Sequence, residues 1–137
     1  MLPIRAPISH KNCIICSSLS PLGLDLKFMQ SPDDQDEILS DVFVKKQWGG
    51  YDSILHGGII ASLLDAAMTH CLFNKGIEAV TAEMVTRYLK PIPLDAKLRL
   101  IAKFESSLGP LFILSSKLLL NGDLMSRATA KFMRKNV

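Results

Sequence analysis

Apolar and polar positions along the chain fall into a short two-stranded opening, one helix and four long strands. From Leu22 to Phe28 (LGLDLKF) apolar and polar residues alternate, the period of a strand buried on one face. An acidic turn, Ser31 to Glu37, separates it from a second strand over Ile38–Val44, and the two read as a hairpin. A glycine-containing loop, Trp48 to Ser53, leads to His56-Gly57-Gly58. The spacing then predicts a helix over Gly58–Asn74, closed by Lys75-Gly76 with the glycine at a C-terminal cap position. From Ile77 onward the pattern is strand, in runs at about 78–90, 96–106, 110–121 and 123–133. The breaks are Pro91 to Asp95, Leu108-Gly109-Pro110 and Asn121-Gly122-Asp123, and Asn-Gly is a strong two-residue hairpin signal. Residues 1–20, with Pro3, Pro7 and a run of serines, carry no period and are expected to be irregular. With no repeat and no linker, 1–137 reads as a single α+β domain, an antiparallel sheet on one helix.

The helix has two contrasting faces. At 100° per residue, Ile59, Ile60, Leu63, Leu64, Ala67 and Cys71 share one apolar arc, wide enough to pack on a sheet. Ser62, Asp65 and Thr69 form a polar stripe nearly opposite, flanked by Ala61, Met68 and Leu72, and no Lys, Arg or Glu occurs between Gly57 and Asn74. Such a helix is expected to be covered on both sides, the second cover coming from another subunit. Asp65 is then a lone carboxylate at a subunit interface, read either as a functional group or as one satisfied by neighbouring backbone and hydroxyl donors. Gly57 and Gly58 open the helix, where the first N–H groups lack intrahelical partners and can serve an anion or a developing oxyanion. A tight turn that needs glycine only for its dihedrals is the plainer reading. Gly57 and Asp65 lie roughly 12 Å apart along the axis, too far to act on one carbonyl within a chain. Antiparallel pairing of two such helices across a two-fold would bring one chain's Gly57 to the other's Asp65.

Composition narrows the function classes. With 48% hydrophobic residues the chain can build a core and is not a disordered segment, and three cysteines do not make a disulfide scaffold. No apolar run reaches the roughly 18 residues of a membrane span, and MLPIRAPISHK lacks the apolar stretch of a secretory signal, so a cytoplasmic protein is expected. Residues 1–68 carry five Lys/Arg against eight Asp/Glu, and residues 69–137 eleven against five. The basic half fits solvated strand faces or a phosphate-bearing small molecule. It lacks the clustered patch, zinc-finger spacing or recognition helix of a nucleic-acid binder. His10, Cys13 and Cys16 have a spacing that suits zinc, yet no second Cys or His pair follows them, and no metal is expected. Cys71 and His70 read as packed helix residues, and Trp48 and Tyr51 as lining an acyl pocket or packing at an interface.

The stretches LHGGIIASLLDAAMTHCLF and AVTAEMVTRYLKPIPLDAKLRLIAKF closely resemble the hotdog-fold acyl-CoA thioesterase superfamily, in particular its phenylacetate-pathway (PaaI-like) branch. The resemblance runs from about Cys13 to Lys135, and CIICSSLSPLGLDLKF is similar to the opening of some members. It implies a long central helix wrapped by a curved antiparallel sheet, assembled as homodimers that often pair into tetramers. It also implies hydrolysis of acyl-CoA with no cofactor beyond the CoA of the substrate. By the same resemblance Asp65 is the catalytic base or nucleophile, the Gly57 amide polarises the thioester carbonyl, Thr81 helps hold the attacking water, and His56 is the motif histidine of the catalytic set, in such proteins more often loop-ordering than a proton shuttle. Gly58, Arg87, Lys90, Arg134 and Lys135 (with Lys131) are the expected substrate contacts, the cations meeting CoA phosphates. One position departs from the family. Relatives carry Asn, Gln or His in the loop before the glycines, where this chain has Trp48-Gly49-Gly50-Tyr51-Asp52, with Gln47 the nearest amide. A non-catalytic acyl-CoA binding or sensing module on the same fold is therefore the second expectation. A hotdog hydratase is not supported, because its acid–base pair would lie elsewhere.

Overall fold

The computed structural model describes residues 3–19 and 24–135. One helix, α1 (Gly57–Phe73), packs against a sheet of β1 (Met29–Gln30), β2 (Glu37–Phe43), β3 (Ala79–Tyr88), β4 (Lys97–Leu108), β5 (Leu111–Leu120) and β6 (Asp123–Arg134). The strands run in the order β1-β2-β4-β5-β6-β3, every neighbouring pair antiparallel. This is the expected α+β arrangement of a curved antiparallel sheet around a central helix.

Alternation sets the inner face. Leu98, Leu100 and Ala102 of β4, Phe112, Leu114 and Leu118 of β5, and Ala128, Ala130 and Phe132 of β6 are all buried, and they close on Ile60, Leu63, Leu64, Ala67 and Cys71 of α1. The buried Ser116 hydroxyl donates to the Leu64 carbonyl at 3.0 Å, so the one polar side chain in that row of β5 is satisfied by the helix. At the β5–β6 turn Asn121 and Gly122 both have positive φ, 51° and 85°, the backbone that an Asn-Gly hairpin requires.

The opening hairpin is shorter than the alternation implies. Leu22 and Gly23 lie outside the described residues, and β1 is confined to Met29–Gln30. Leu24, Leu26 and Phe28 are still buried in alternation, but Asp25 adopts φ 49°, which takes the backbone out of the extended ladder.

The cover on the outer side of α1 also differs from expectation. Met68 and Leu72 are already buried within the chain, as is His70. Part of that cover is the N-terminal segment: the His10 ring sits 4.9 Å from Phe73 and 5.8 Å from His70, and Phe28 lies 4.6 Å from His70. What stays half-open is a stripe of Gly57, Ala61, Ser62, Asp65 and Thr69, with Gly58 exposed beside it. Among the described residues no helix is long and apolar enough to cross a membrane.

Candidate active site

The helix start is built by His56. As N-cap it has extended backbone (φ −62°, ψ 133°), and its Nδ1 accepts the Gly58 N–H at 2.8 Å. The imidazole therefore orders the turn, and it occupies the Gly58 amide, which is not free for a ligand. A Cβ on Gly58 would come within 2.9 Å of that ring, so glycine here makes room for the cap. Among the described residues the Gly57 N–H has no partner, and it stands at the positive end of α1.

A β-bulge decides what faces the helix from β3. Thr81 pairs with Phe132 and Glu83 with Lys131, leaving Ala82 without a partner. Thr81 and Tyr88 are seven residues apart and would point to opposite faces of a regular strand. The extra residue restores the parity, and both turn toward α1. Thr81 Oγ1 donates to Asp65 Oδ1 at 2.6 Å, and the Tyr88 hydroxyl donates to the Gly57 carbonyl at 3.0 Å. The other hydroxyls of the helix stripe bond to the helix itself: Ser62 donates to the Gly58 carbonyl at 2.8 Å and Thr69 to the Asp65 carbonyl at 3.0 Å. Thr81 is thus the hydroxyl that reaches the Asp65 carboxylate.

Around Gly57 lie two clefts. One, of about 280 Å³, runs between Ile54, Ile60, Tyr88, Leu89 and Lys90; the other is bounded by Gly50, Tyr51, Leu55 and His56. Neither is lined by an Asn or Gln side chain. Trp48 is buried and Tyr51 is 87% exposed, so of these two aromatics Tyr51 borders the cleft.

The expected basic contacts do not converge within one chain. Lys90 borders the cleft at Gly57 and lies 4.0 Å from Asp123. Arg87 pairs with Arg127, outside the row that faces α1. Arg134 lies opposite Ala79 at the other end of β3, roughly 30 Å from Tyr88 at 3.3 Å per residue, with its guanidinium over the Phe112 ring. Lys135 pairs there with Glu78, and Lys131 with Glu83. Asp65 and Thr81 belong to this second end, and Gly57 and Tyr88 to the first. Tyr88 was not a candidate from the sequence, because its facing depends on the bulge.

A family model for the thioesterase superfamily matches residues 52–107, the span that holds the paired glycines, Asp65, Thr81 and Tyr88. Solved structures share the architecture. The PaaI protein of the Escherichia coli phenylacetic acid degradation operon superposes with a TM-score of 0.75 at 18% identity, over 82% of this chain and 81% of that one. This chain has the hotdog fold. A Streptococcus mutans protein bound to acetyl CoA is also similar (TM-score 0.70, 19% identity, 73% of this chain and 82% of that one). A further thioesterase superfamily structure matches with a TM-score of 0.76 at 24% identity; the match covers 82% of this hotdog chain but only 55% of the other.

Proposed function

We propose that this protein hydrolyses acyl-CoA thioesters to a free acid and CoA. The observation that carries the proposal is the Asp65–Thr81 pair on the half-open stripe of a helix whose first amide, at Gly57, is unpartnered. The superfamily match and the acetyl-CoA-bound relative support the substrate class.

In this reading the thioester carbonyl lies against the Gly57 N–H, where the helix dipole favours the charge that develops on oxygen. Thr81 spends its proton on Asp65 and keeps its lone pairs for a water. Asp65 takes a proton from that water as hydroxide adds to the carbonyl carbon. The C–S bond then breaks, the oxyanion collapses to the acid, and the CoA thiolate leaves and is protonated. Direct attack by the carboxylate, with a mixed anhydride that water opens, satisfies the same placement. Because Gly57 and Asp65 are two helical turns apart, the amide and the carboxylate come from different subunits of a two-fold dimer. Such pairing also brings Lys90 of one protomer toward the Arg134 end of its partner, a cationic rim for CoA phosphates. The open edge of β3, with Val80, Val85 and Tyr88 more than half exposed, is the surface for this pairing, and two dimers can associate further. No cofactor takes part in these steps, and the protein acts in the cytoplasm.

A second reading, an acyl-CoA binding or sensing module, is favoured by one observation, the lack of an Asn or Gln side chain along either cleft at Gly57. Thiol release measured across short, long and aromatic acyl-CoAs separates the two. The hydrolase reading expects multiple turnovers on at least one member of the panel. Saturable binding by calorimetry with no thiol released from any of them overturns it in favour of the module.

A further inference from the structure

Away from Asp65 and Gly57, a second cluster of reactive side chains lies where the N-terminal segment crosses α1. His10, Cys13 and Cys16 sit on consecutive tight turns, closed by Cys13 N–H to the His10 carbonyl and Ser17 N–H to the Cys13 carbonyl, each at 3.1 Å. Residues three apart therefore share one side. That side meets His70 of α1, and the ligand atoms of His10, Cys16 and His70 all lie within 4.8 Å of one another. Cys13 adjoins them: its Sγ accepts the Cys16 N–H at 3.4 Å.

Packing alone leaves this cluster unsatisfied. His70 is only 5% exposed, yet among the described residues neither of its ring nitrogens has a hydrogen-bond partner, and neither does His10 Nε2. A buried polar group without a partner is costly, and aromatic neighbours such as Phe28 and Phe73 offer these nitrogens nothing. A Cys13–Cys16 disulfide would leave both imidazoles as they are. A cation that takes one nitrogen from each ring and both sulfurs accounts for the grouping as a whole.

We propose that His10, Cys13, Cys16 and His70 bind a zinc ion. Two imidazole nitrogens and two thiolates are the donor set for tetrahedral Zn²⁺. Ideal bonds place such ligands about 3.4–3.8 Å apart, so adjustments of about 1 Å bring His10, Cys16 and His70 to bonding separations, and Cys13 turns in from beside Cys16 as the fourth ligand. Two thiolates and two neutral rings balance the dication, which suits a half-buried place. With four protein ligands no position is left for a substrate, and the ion is structural. It clips the N-terminal segment to α1 five residues, about 7.5 Å of axis, from Asp65.

The test is metal binding by the full chain, reduced and freed of metal, titrated with Co²⁺ and, separately, with Zn²⁺ monitored by elemental analysis after desalting. The expected result is one ion per chain, with thiolate-to-cobalt charge transfer in the near ultraviolet and the intense visible bands of tetrahedral cobalt. Zinc displaces the cobalt. Cys13→Ser weakens the charge-transfer band, and His70→Gln weakens or shifts the visible bands. His10→Ala, outside the sheet and α1, loses metal while circular dichroism stays that of wild type. Absence of both cobalt signatures in the reduced wild type overturns the proposal. So does a wild-type spectrum retained in His10→Ala and Cys13→Ser.

Discussion

Replacing Thr81 by Val removes one hydroxyl and keeps the branched shape of an exposed strand residue, so it tests the Asp65–Thr81 pair without disturbing the core. The lost interaction is a hydrogen bond of 2.6 Å to a carboxylate. Bonds to charged groups contribute about 1.5–3 kcal/mol, and with Thr81 exposed and Asp65 half-buried the low end applies, about 1.5 kcal/mol. Expressed in the transition state this is roughly a tenfold loss of kcat. In the proposed mechanism Thr81 also accepts from the attacking water, so the loss is expected on kcat with KM nearly unchanged. The assay is initial-rate thiol release on the best acyl-CoA substrate for wild type, Thr81→Val and Thr81→Ser. The serine variant keeps the hydroxyl and is expected within about threefold of wild type. A valine variant with kcat within about twofold of wild type would refute the reasoning, since the hydroxyl would then have no part in holding Asp65 or the water.

The cap assigned to His56 predicts that His56→Asn, which still presents an acceptor to Gly58, keeps wild-type stability, whereas His56→Ala loses about 1 kcal/mol. Equilibrium denaturation of both variants measures this, and equal stability of the two would contradict it. Cys71 is buried with its thiol pushed up to about 12, chiefly by desolvation, so it stays a neutral thiol at pH 8. Alkylation of the native protein followed by peptide mass analysis should leave Cys71 unmodified until denaturant is added; its modification under native conditions would contradict that burial.

Much of this was legible in the chain because the periods are strong. The helix expected over 58–74 runs from Gly57 to Phe73, and the four strand runs fall on β3 to β6 with ends displaced by a few residues. Where the period is weak the reading failed for local reasons. Alternation over Leu24–Phe28 does report burial, but the positive φ of Asp25 breaks the ladder. The helix pattern points to a partner subunit as the second cover of α1, and the N-terminal segment, which carries no period, supplies part of that cover through His10. At the site, Asp65 and Gly57 stand out by being polar or flexible where the helix is otherwise apolar. Tyr88 does not, since the one-residue bulge at Ala82 that turns it toward Gly57 leaves no mark on the hydrophobic pattern. The partner that completes His10, Cys13 and Cys16 lies on the helix at His70, a tertiary contact no local spacing encodes.

The central claim is that Asp65 is the group on which thioester hydrolysis turns. Asp65→Asn is isosteric and still offers Thr81 an oxygen to donate to, so fold and assembly are retained while the base or nucleophile is lost. Thiol release at saturating acyl-CoA should fall at least about 100-fold, with acyl-CoA binding and sedimentation behaviour unchanged. Turnover by Asp65→Asn within a few-fold of wild type would contradict the account.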